Sequence, residues 1–203
     1  MRALIFSDIH NDLRTLGRHM DTEADLYIAA GDLVSWSRGL DEAGKILQRR
    51  ADRVWVMPGN HESEQQIHSM CERFGLHPFH GASIEREGWH IAGLGYSSPT
   101  PFNTPGEYTE QQLADRLAAF AGRKPLVLVC HCPPKATPLD CAGPGRHFGS
   151  QAVLEFLNVQ QPAYFFCGHV HEAEGVSDRI GPTFAVNVGK RGYLLELETK
   201  TEA

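Results

Sequence analysis

The stretch FFCGHVH at residues 165–171 is the part of the sequence around which the rest can be arranged. An apolar, strand-like run ends in Gly168, which allows a tight turn, and His169 and His171 follow. If the backbone there is extended, both imidazoles point to the same side, with their Cα atoms roughly 7 Å apart. Such a pair suits two neighbouring metal ions, which lie about 3.5–4 Å apart in two-metal hydrolytic sites. An isolated pair would indicate only a surface loop, so the interpretation depends on further motifs.

An apolar run, a polar turn and a helical pattern follow one another three times in the first 75 residues. Strands are predicted at residues 2–7, 26–30 and 54–57, and helices after a cap at Asn11, over 41–51 and over 63–74. This alternation is typical of βαβ units, which form a parallel sheet with helices on its faces. Ligand sites of such sheets lie beyond the carboxyl ends of the strands. We therefore expect the polar residues that follow the strands to meet at one edge: Asp8, His10, Asp32, Asn60 and His61.

The second half of the chain is less regular but continues the same pattern. It predicts a hairpin around Gly88, a helix from a Thr109–Gln112 capping box to about residue 121, a strand at 125–130, a helix from Ser150 to about 160, and strands near 182–188 and 192–198. Two loops rich in proline and glycine, residues 96–108 and 132–148, are predicted to line a substrate pocket. We find no pattern of a second domain, and therefore expect one domain over residues 1–203.

Composition and charge exclude several classes of function. The chain has 203 residues, 41% hydrophobic and 22% charged, with a formal net charge of −6. This acidic balance argues against bulk binding of nucleic acid or anionic membranes. The sequence reaches Asp8 directly after a short strand-like run, which leaves no room for a signal peptide, and no apolar run is long enough to span a membrane. We expect a cytoplasmic protein.

The five cysteines show no Cys-x-x-Cys spacing, and their odd number argues against a disulfide framework. Cys130 and Cys132 flank His131, and such a cluster can indicate a zinc–thiolate site. In a strand, however, both cysteines would face away from His131. We favour buried structural cysteines over zinc ligands.

Five short blocks carry the most specific information. In chain order they are Asp8-x-His10, Gly31-Asp32, Gly59-Asn60-His61-Glu62, His131 and Gly168-His169-x-His171. Each follows a predicted strand, and together they resemble all five motif blocks of the calcineurin-like metallophosphoesterase family over residues 8–171. The resemblance implies an α/β fold in which a β-sandwich lies between helices, giving four α/β/β/α layers. It also implies a metal-dependent phosphoester hydrolase, either a phosphodiesterase or a phosphomonoesterase.

The resemblance further implies two metal sites. Asp8, His10 and His171 would bind one ion, Asn60, His131 and His169 would bind the other, and Asp32 would bridge both. Mixed oxygen and nitrogen ligands suit manganese, iron or zinc, with manganese favoured here. In this mechanism the two ions lower the pKa of a shared water, and the resulting hydroxide attacks phosphorus in line.

Several residues near these blocks have open or secondary roles. By analogy, His61 is catalytic: it stabilises the phosphoryl group and protonates the leaving oxygen. Glu62 either orients His61 or a metal ligand, or is an acidic residue favoured at a helix N-terminus. Arg146 and His147 in the second loop are candidate substrate contacts. Further candidate phosphate contacts are Lys135, Lys190 and Arg191.

Differences from relatives favour a small substrate. The segment Gly31-Asp32-Leu33-Val34-Ser35-Trp36 resembles the protein serine/threonine phosphatase pattern only in its first residues, because the Asp-Arg-Gly that those enzymes carry next is absent. We also expect no large nuclease capping domain. We expect hydrolysis of a small phosphate ester. The alternatives are a non-catalytic scaffold or protein-binding module, against which the complete ligand set argues, and a nuclease, against which the acidic balance argues. The oligomeric state is left open.

Overall fold

The structure is a computed structural model that describes residues 1–199. Its strands are β1 (Arg2–Phe6), β2 (Leu26–Ala30), β3 (Val54–Met57), β4 (His77–Pro78), β5 (Ala82–Arg86), β6 (Trp89–Leu94), β7 (Leu126–Cys130), β8 (Tyr164–Cys167), β9 (Ser177–Ile180), β10 (Thr183–Asn187) and β11 (Tyr193–Glu196). Its α-helices are α1 (Leu13–Asp21), α2 (Leu40–Leu47), α3 (Glu64–Phe74), α4 (Glu110–Ala118) and α5 (Gln151–Gln160). Short 3₁₀ segments cover Gln48–Arg53, Pro138–Asp140 and His171–Ala173.

The strands form two mixed sheets. The first has the order β11-β1-β2-β3-β4, and only its edge strand β11 runs antiparallel to its neighbour. The second has the order β5-β6-β7-β8-β10-β9, in which the four inner strands are parallel and both edge strands are antiparallel. The parallel strands in each sheet end at one common edge, as the sequence predicts.

Buried apolar side chains join the sheets to each other and to the helices. Because successive strand residues point to opposite faces, Ile5 packs between the two sheets, whereas Phe6 packs toward α1, α2 and α3. In the second sheet, Phe166 likewise lies between the sheets and Phe165 packs toward α4 and α5. Helices therefore cover both outer faces, and the four-layer α/β/β/α arrangement is confirmed.

Most predicted elements are confirmed, with differences at their ends. Asp12, not Asn11, caps α1, since its side chain accepts a hydrogen bond from Thr15 N at 3.0 Å. Asn11 is instead in a left-handed conformation and contacts the loop after β2 through Arg38 O and Ser35 N. The helix predicted over residues 41–51 ends at Leu47 and continues as a 3₁₀ segment. Strands β4 and β9 are not predicted from the sequence.

Local helix-start signals were more reliable. The predicted Thr109–Gln112 capping box is present at α4, with both reciprocal hydrogen bonds formed. Ser150 caps α5 by accepting from Val153 N. Glu87 and Gly88 both have positive φ in the turn of the predicted β5–β6 hairpin. These features depend on residues three or four positions apart, so the sequence determines them directly.

His80, which lies between β4 and β5, should make the fold sensitive to acid. Gly95 N donates to its Nδ1 at 3.0 Å, and its Nε2 lies 3.0 Å from the Tyr108 hydroxyl. Burial lowers the pKa of His80 to about 4, whereas an unfolded histidine has a pKa of about 6.5. Between these values only the unfolded chain takes up the proton, so folding stability should fall as the pH drops from about 6.5 to about 4.

The measurement is the free energy of unfolding in urea at several pH values across this window. His80→Gln should show a smaller acid-induced loss of stability than the wild type. An identical pH dependence in both proteins would contradict the prediction.

Candidate metal centre

The seven predicted metal ligands all lie on turns at the carboxyl ends of parallel strands. They follow β1, β2 and β3 of the first sheet and β7 and β8 of the second sheet. The centre therefore lies across the top of the sandwich. The residues that were predicted to meet at this edge, Asp8, His10, Asp32, Asn60 and His61, do lie together there.

The first group consists of Asp8, His10 and His171, whose ligand atoms all lie within 4.8 Å of one another. His10 Nε2 is 3.0 Å from His171 Nε2, and His171 Nε2 is 3.6 Å from Asp8 Oδ1. Two ring nitrogens and a carboxylate oxygen thus converge on one point. This donor set fits a transition-metal ion.

The second group converges on the amide oxygen of Asn60. Its Oδ1 is 2.8 Å from His169 Nδ1 and 3.1 Å from His131 Nε2. The other nitrogen of His131 donates to Ala30 O at 2.9 Å, so Nε2 is the nitrogen that faces the site. A buried backbone carbonyl thereby fixes the ring orientation that a metal ligand requires.

Asp32 lies between the two groups. Its Oδ2 is 3.5 Å from His10 Nε2 and 3.4 Å from His131 Nε2, while its Oδ1 accepts a hydrogen bond from His61 N at 2.9 Å. This carboxylate has one histidine from each group beside it. Asp32 therefore lies where a ligand that bridges two metal ions would have to lie.

Strained backbone is concentrated at these residues. Asp8, His10, Asp32 and His169 have φ values of 54°, 44°, 52° and 70°. Left-handed conformations cost about 1–2 kcal/mol for residues other than glycine. Four of them around one site indicate that the surrounding structure holds these side chains in place for function.

The backbone conformation at His169 and His171 differs from the prediction. His169 is left-handed and His171 begins a 3₁₀ segment, so the backbone is not extended there. Their rings serve the two different groups because of this bend. Gly168 is not one of the glycines with a positive φ. A Cβ at this position would instead collide with Ser7 Oγ and Asp8 Oδ2. Glycine is needed for close approach rather than for a turn.

Glu62 holds together the turns that carry two candidate ligands. Its fully buried carboxylate accepts hydrogen bonds from Gly59 N (2.9 Å), Val34 N (2.9 Å) and Asp32 N (3.1 Å). Burial, together with the negative charge of Asp32, raises the pKa of Glu62 to about 8. These partners lie outside α3, so the interpretation as a ligand-orienting residue is favoured over the helix-terminus interpretation.

The site is electrostatically coupled. Burial alone would raise the pKa of Asp32, but the charge and hydrogen bond of His131 outweigh it and lower that pKa. Burial likewise opposes a charge on His131, yet Asp32 raises its pKa to about 9. Burial, together with the nearby His131, lowers the pKa of His169 to about 4. The carboxylate at the centre is therefore held ionised, as cation binding requires.

His61 faces the same space from the turn after β3. Trp36 N donates to its Nδ1 at 3.2 Å, so the other ring nitrogen carries the proton. Its ring centroid lies 5.0 Å from that of His10, and one of its nitrogens lies within 4.8 Å of ligand atoms of His10 and Asp32. His61 can therefore present a hydrogen-bond donor next to the candidate ligands.

A cavity of about 360 Å³ opens over the centre and is walled by both predicted loops. The first loop contributes residues 99–102, and the second contributes Ala142, Arg146 and Phe148. Lys135, Lys190 and Arg191 do not line it. The sequence analysis missed Phe102 and Phe148, for which the only signal was their position in loops rich in proline and glycine.

His147 points away from this cavity. Its Nδ1 lies 2.6 Å from Oδ1 of the fully buried Asp140, which also accepts hydrogen bonds from the backbone of Ala136, Thr137 and Gly149. Asp140 is thus the centre of the second loop, and His147 is one of its partners. A structural role for His147 is favoured over a direct substrate contact.

The cysteines agree with the structural interpretation. All five are free, and Cys130 and Cys132 are buried outside the groups described above. Cys132 Sγ lies against Ser98 and Pro133 rather than against histidine, and burial raises the pKa of its thiol to about 12.

Comparisons with known proteins agree with this architecture. The family model of the calcineurin-like phosphoesterases matches residues 1–173. An uncharacterised protein of Methanocaldococcus jannaschii is 28% identical over 207 residues, covering 96% of this chain and 91% of that protein. A phosphopantetheinyl hydrolase from Mycobacterium tuberculosis superposes with a TM-score of 0.65 at 16% identity, covering 92% and 88% of the two chains. A dimetal phosphatase from Danio rerio gives 0.56 at 12% identity, covering 92% and 86%.

The chain belongs to the calcineurin-like phosphoesterase family. It is a metal-dependent hydrolase that acts on phosphoester bonds, as the sequence motifs predict. Within residues 1–199, none of the helices combines the length and apolar character needed to cross a membrane.

Proposed function

We propose that this protein hydrolyses small phosphate esters with a pair of metal ions. The observation that carries the proposal is the position of Asp32, whose Oδ2 lies 3.5 and 3.4 Å from one histidine of each ligand group. Asp32 would bridge the ions, and the remaining ligands would be Asp8, His10 and His171 on one side and Asn60, His131 and His169 on the other.

The donor chemistry suits manganese, iron or zinc, and we favour manganese. When bound, such a pair supplies a hydroxide nucleophile at neutral pH and offsets negative charge on the phosphoryl group. Asn60 contributes a neutral oxygen, which leaves the centre more positive than a third carboxylate would. His61 lines the cavity, and Trp36 N occupies its Nδ1, so we assign its other ring nitrogen the role of donating to the leaving oxygen.

The proposal also includes the domain organisation and the cellular location of the protein. We take residues 1–203 as one functional domain, since both sheets contribute ligands to one centre. We also place the protein in the cytoplasm, because its five cysteines are free thiols. The cavity and the acidic charge favour a small ester over nucleic acid.

The experiment that tests the proposal combines metal analysis with a phosphoester panel. Protein purified without chelator should contain about two transition-metal ions per chain. Stripping the metal should abolish hydrolysis of mono- and diesters, and adding Mn²⁺ back should restore it. Protein that takes up no metal, or that is fully loaded and hydrolyses no ester, would overturn the proposal.

Arg146 should contribute to substrate binding. It lines the cavity at the end of the second loop, where its Nη2 donates to Ala142 O at 2.8 Å. We expect Arg146→Gln to raise KM for phosphate esters several-fold, because a cation next to the phosphate site is removed while the metal ligands stay in place. Steady-state kinetics and metal analysis on the same preparation measure both effects.

Lys135 provides the matched control. It belongs to the same loop and carries the same charge, but it does not line the cavity. Lys135→Gln should therefore leave KM unchanged. An equal rise of KM in both variants would indicate a general charge effect and would argue against a specific contact from Arg146.

A further inference from the structure

Besides the polar residues of the candidate metal centre, the cavity is lined by aromatic and apolar side chains from both loops. Phe102 and Phe148 line it from opposite loops, and Pro99 and Pro101 extend the first wall. The two phenylalanine side chains are 72% and 44% exposed, among the few large hydrophobic residues on the described surface that are so accessible. Exposed rings at the mouth of a binding site are a recurrent feature of ligand recognition.

The loop that carries Phe102 is fixed directly to the candidate metal centre. Asn60 Nδ2 donates to Thr104 Oγ1 at 3.2 Å, and Gly106 N donates to Asn60 O at 2.9 Å. Glu107 then holds the loop closed by accepting hydrogen bonds from Thr100 and Thr104, with hydroxyl distances of 2.6 Å to each. The loop that carries Phe102 is therefore held in a fixed position relative to Asn60, a predicted metal ligand.

The opposite wall is fixed in a comparable way. Asp140 gathers three backbone N–H groups and His147 of the second loop, with distances of 2.6 to 3.1 Å. Phe148 lies between His147 and Gly149, two of those partners, and its own N donates to Asp140 O at 3.3 Å. Both rings are thus presented by organised loops, which lowers the entropic cost of binding a ligand against them.

The charges on the walls do not suit a second phosphate group. Among the described residues that line the cavity, Arg146 is the one arginine or lysine. Glu172, which also lines it, carries the opposite charge. An ester with several negative charges would be repelled by the Glu172 carboxylate, and Arg146 alone would be available to offset those charges. An uncharged organic group avoids that repulsion and covers the apolar surface.

We infer that the site selects phosphate esters whose organic group is an uncharged planar ring, bound against Phe102 and Phe148. This inference rests on the function proposed above and names its substrate class. Aromatic faces stack with planar rings, whereas a saturated ring of the same size gains only the contact area. Stacking on a protein side chain typically changes affinity by roughly tenfold.

The test compares two esters that differ in the ring alone: benzyl phosphate and cyclohexylmethyl phosphate. Both have primary alkyl leaving groups, and comparing wild type with variants on the same pair of esters cancels the remaining difference in intrinsic reactivity. We expect wild-type kcat/KM to favour the benzyl ester by roughly tenfold. Phe102→Leu and Phe148→Leu should each reduce that preference several-fold without changing metal content, and Phe102→Tyr and Phe148→Tyr should retain it. Val159→Ala, at an exposed apolar residue of α5, is the control and should behave as wild type.

A binding measurement separates this inference from the proposed function. The corresponding benzyl- and cyclohexylmethylphosphonates are not hydrolysed, and their Kd values for Mn²⁺-loaded protein can be measured by calorimetry. Ring-selective binding without hydrolysis of any ester would support the pocket and reject the phosphoesterase. Equal Kd values for both phosphonates, or a preference that survives both leucine variants, would overturn the inference even if the enzyme is active.

Discussion

Asp32→Ala should empty both metal positions together and lower kcat/KM for every phosphate ester by about 10³-fold or more. The reason is geometric: Asp32 Oδ2 lies 3.5 Å from His10 and 3.4 Å from His131, one residue from each ligand group. The metal pair contributes several kcal/mol to transition-state stabilisation, and each 1.36 kcal/mol corresponds to tenfold in rate. Metal content by elemental analysis and steady-state kinetics on the same sample measure the effect.

Two further variants make this prediction specific. His10→Ala should mainly weaken one of the two positions, because His10 contacts the group of Asp8 and His171. Asp115→Ala removes an exposed carboxylate of α4 and should change neither metal content nor rate. If Asp32→Ala keeps both ions, or loses no more metal than His10→Ala does, Asp32 is not a bridge.

His61→Gln should retain both metal ions and the fold but lose about 10² to 10⁴ in kcat on esters with alkyl leaving groups. Trp36 N donates to His61 Nδ1, so the protonated Nε2 is the donor available to the substrate. A donor at the leaving oxygen matters most where negative charge would be localised on an alkoxide. The loss on p-nitrophenyl esters should be smaller, because that phenolate spreads its charge over the ring and needs little help.

The comparison of leaving groups determines what His61 does. Equal losses on alkyl and p-nitrophenyl esters would limit His61 to stabilising the phosphoryl group, and loss of metal would make it a ligand, as its proximity to His10 and Asp32 permits. His68→Gln, at an exposed position of α3, controls for the loss of a histidine and should have wild-type activity.

Local sequence signals determined most of the secondary structure and the candidate ligands. Apolar runs of four to six residues predicted β1, β2, β3, β7 and β8, and capping residues predicted the start of α4 and α5. Their positions directly after those strands were sufficient to place Asp8, Asp32 and Asn60 at one edge. Such signals involve neighbours a few residues apart, and parallel strands bring their carboxyl ends together whatever the loops do.

Only the tertiary structure decided the interactions between residues distant in the chain. The partners of Glu62 lie on two separate turns. Phe102 and Phe148 are 46 positions apart in sequence but line the same cavity, because both loops lie over the same edge. Gly168 is required by the approach of Ser7 and Asp8 from another sheet, which no local turn pattern encodes. Periodicity and capping report the neighbours of a residue along the chain, whereas packing between sheets brings together residues that share no local pattern.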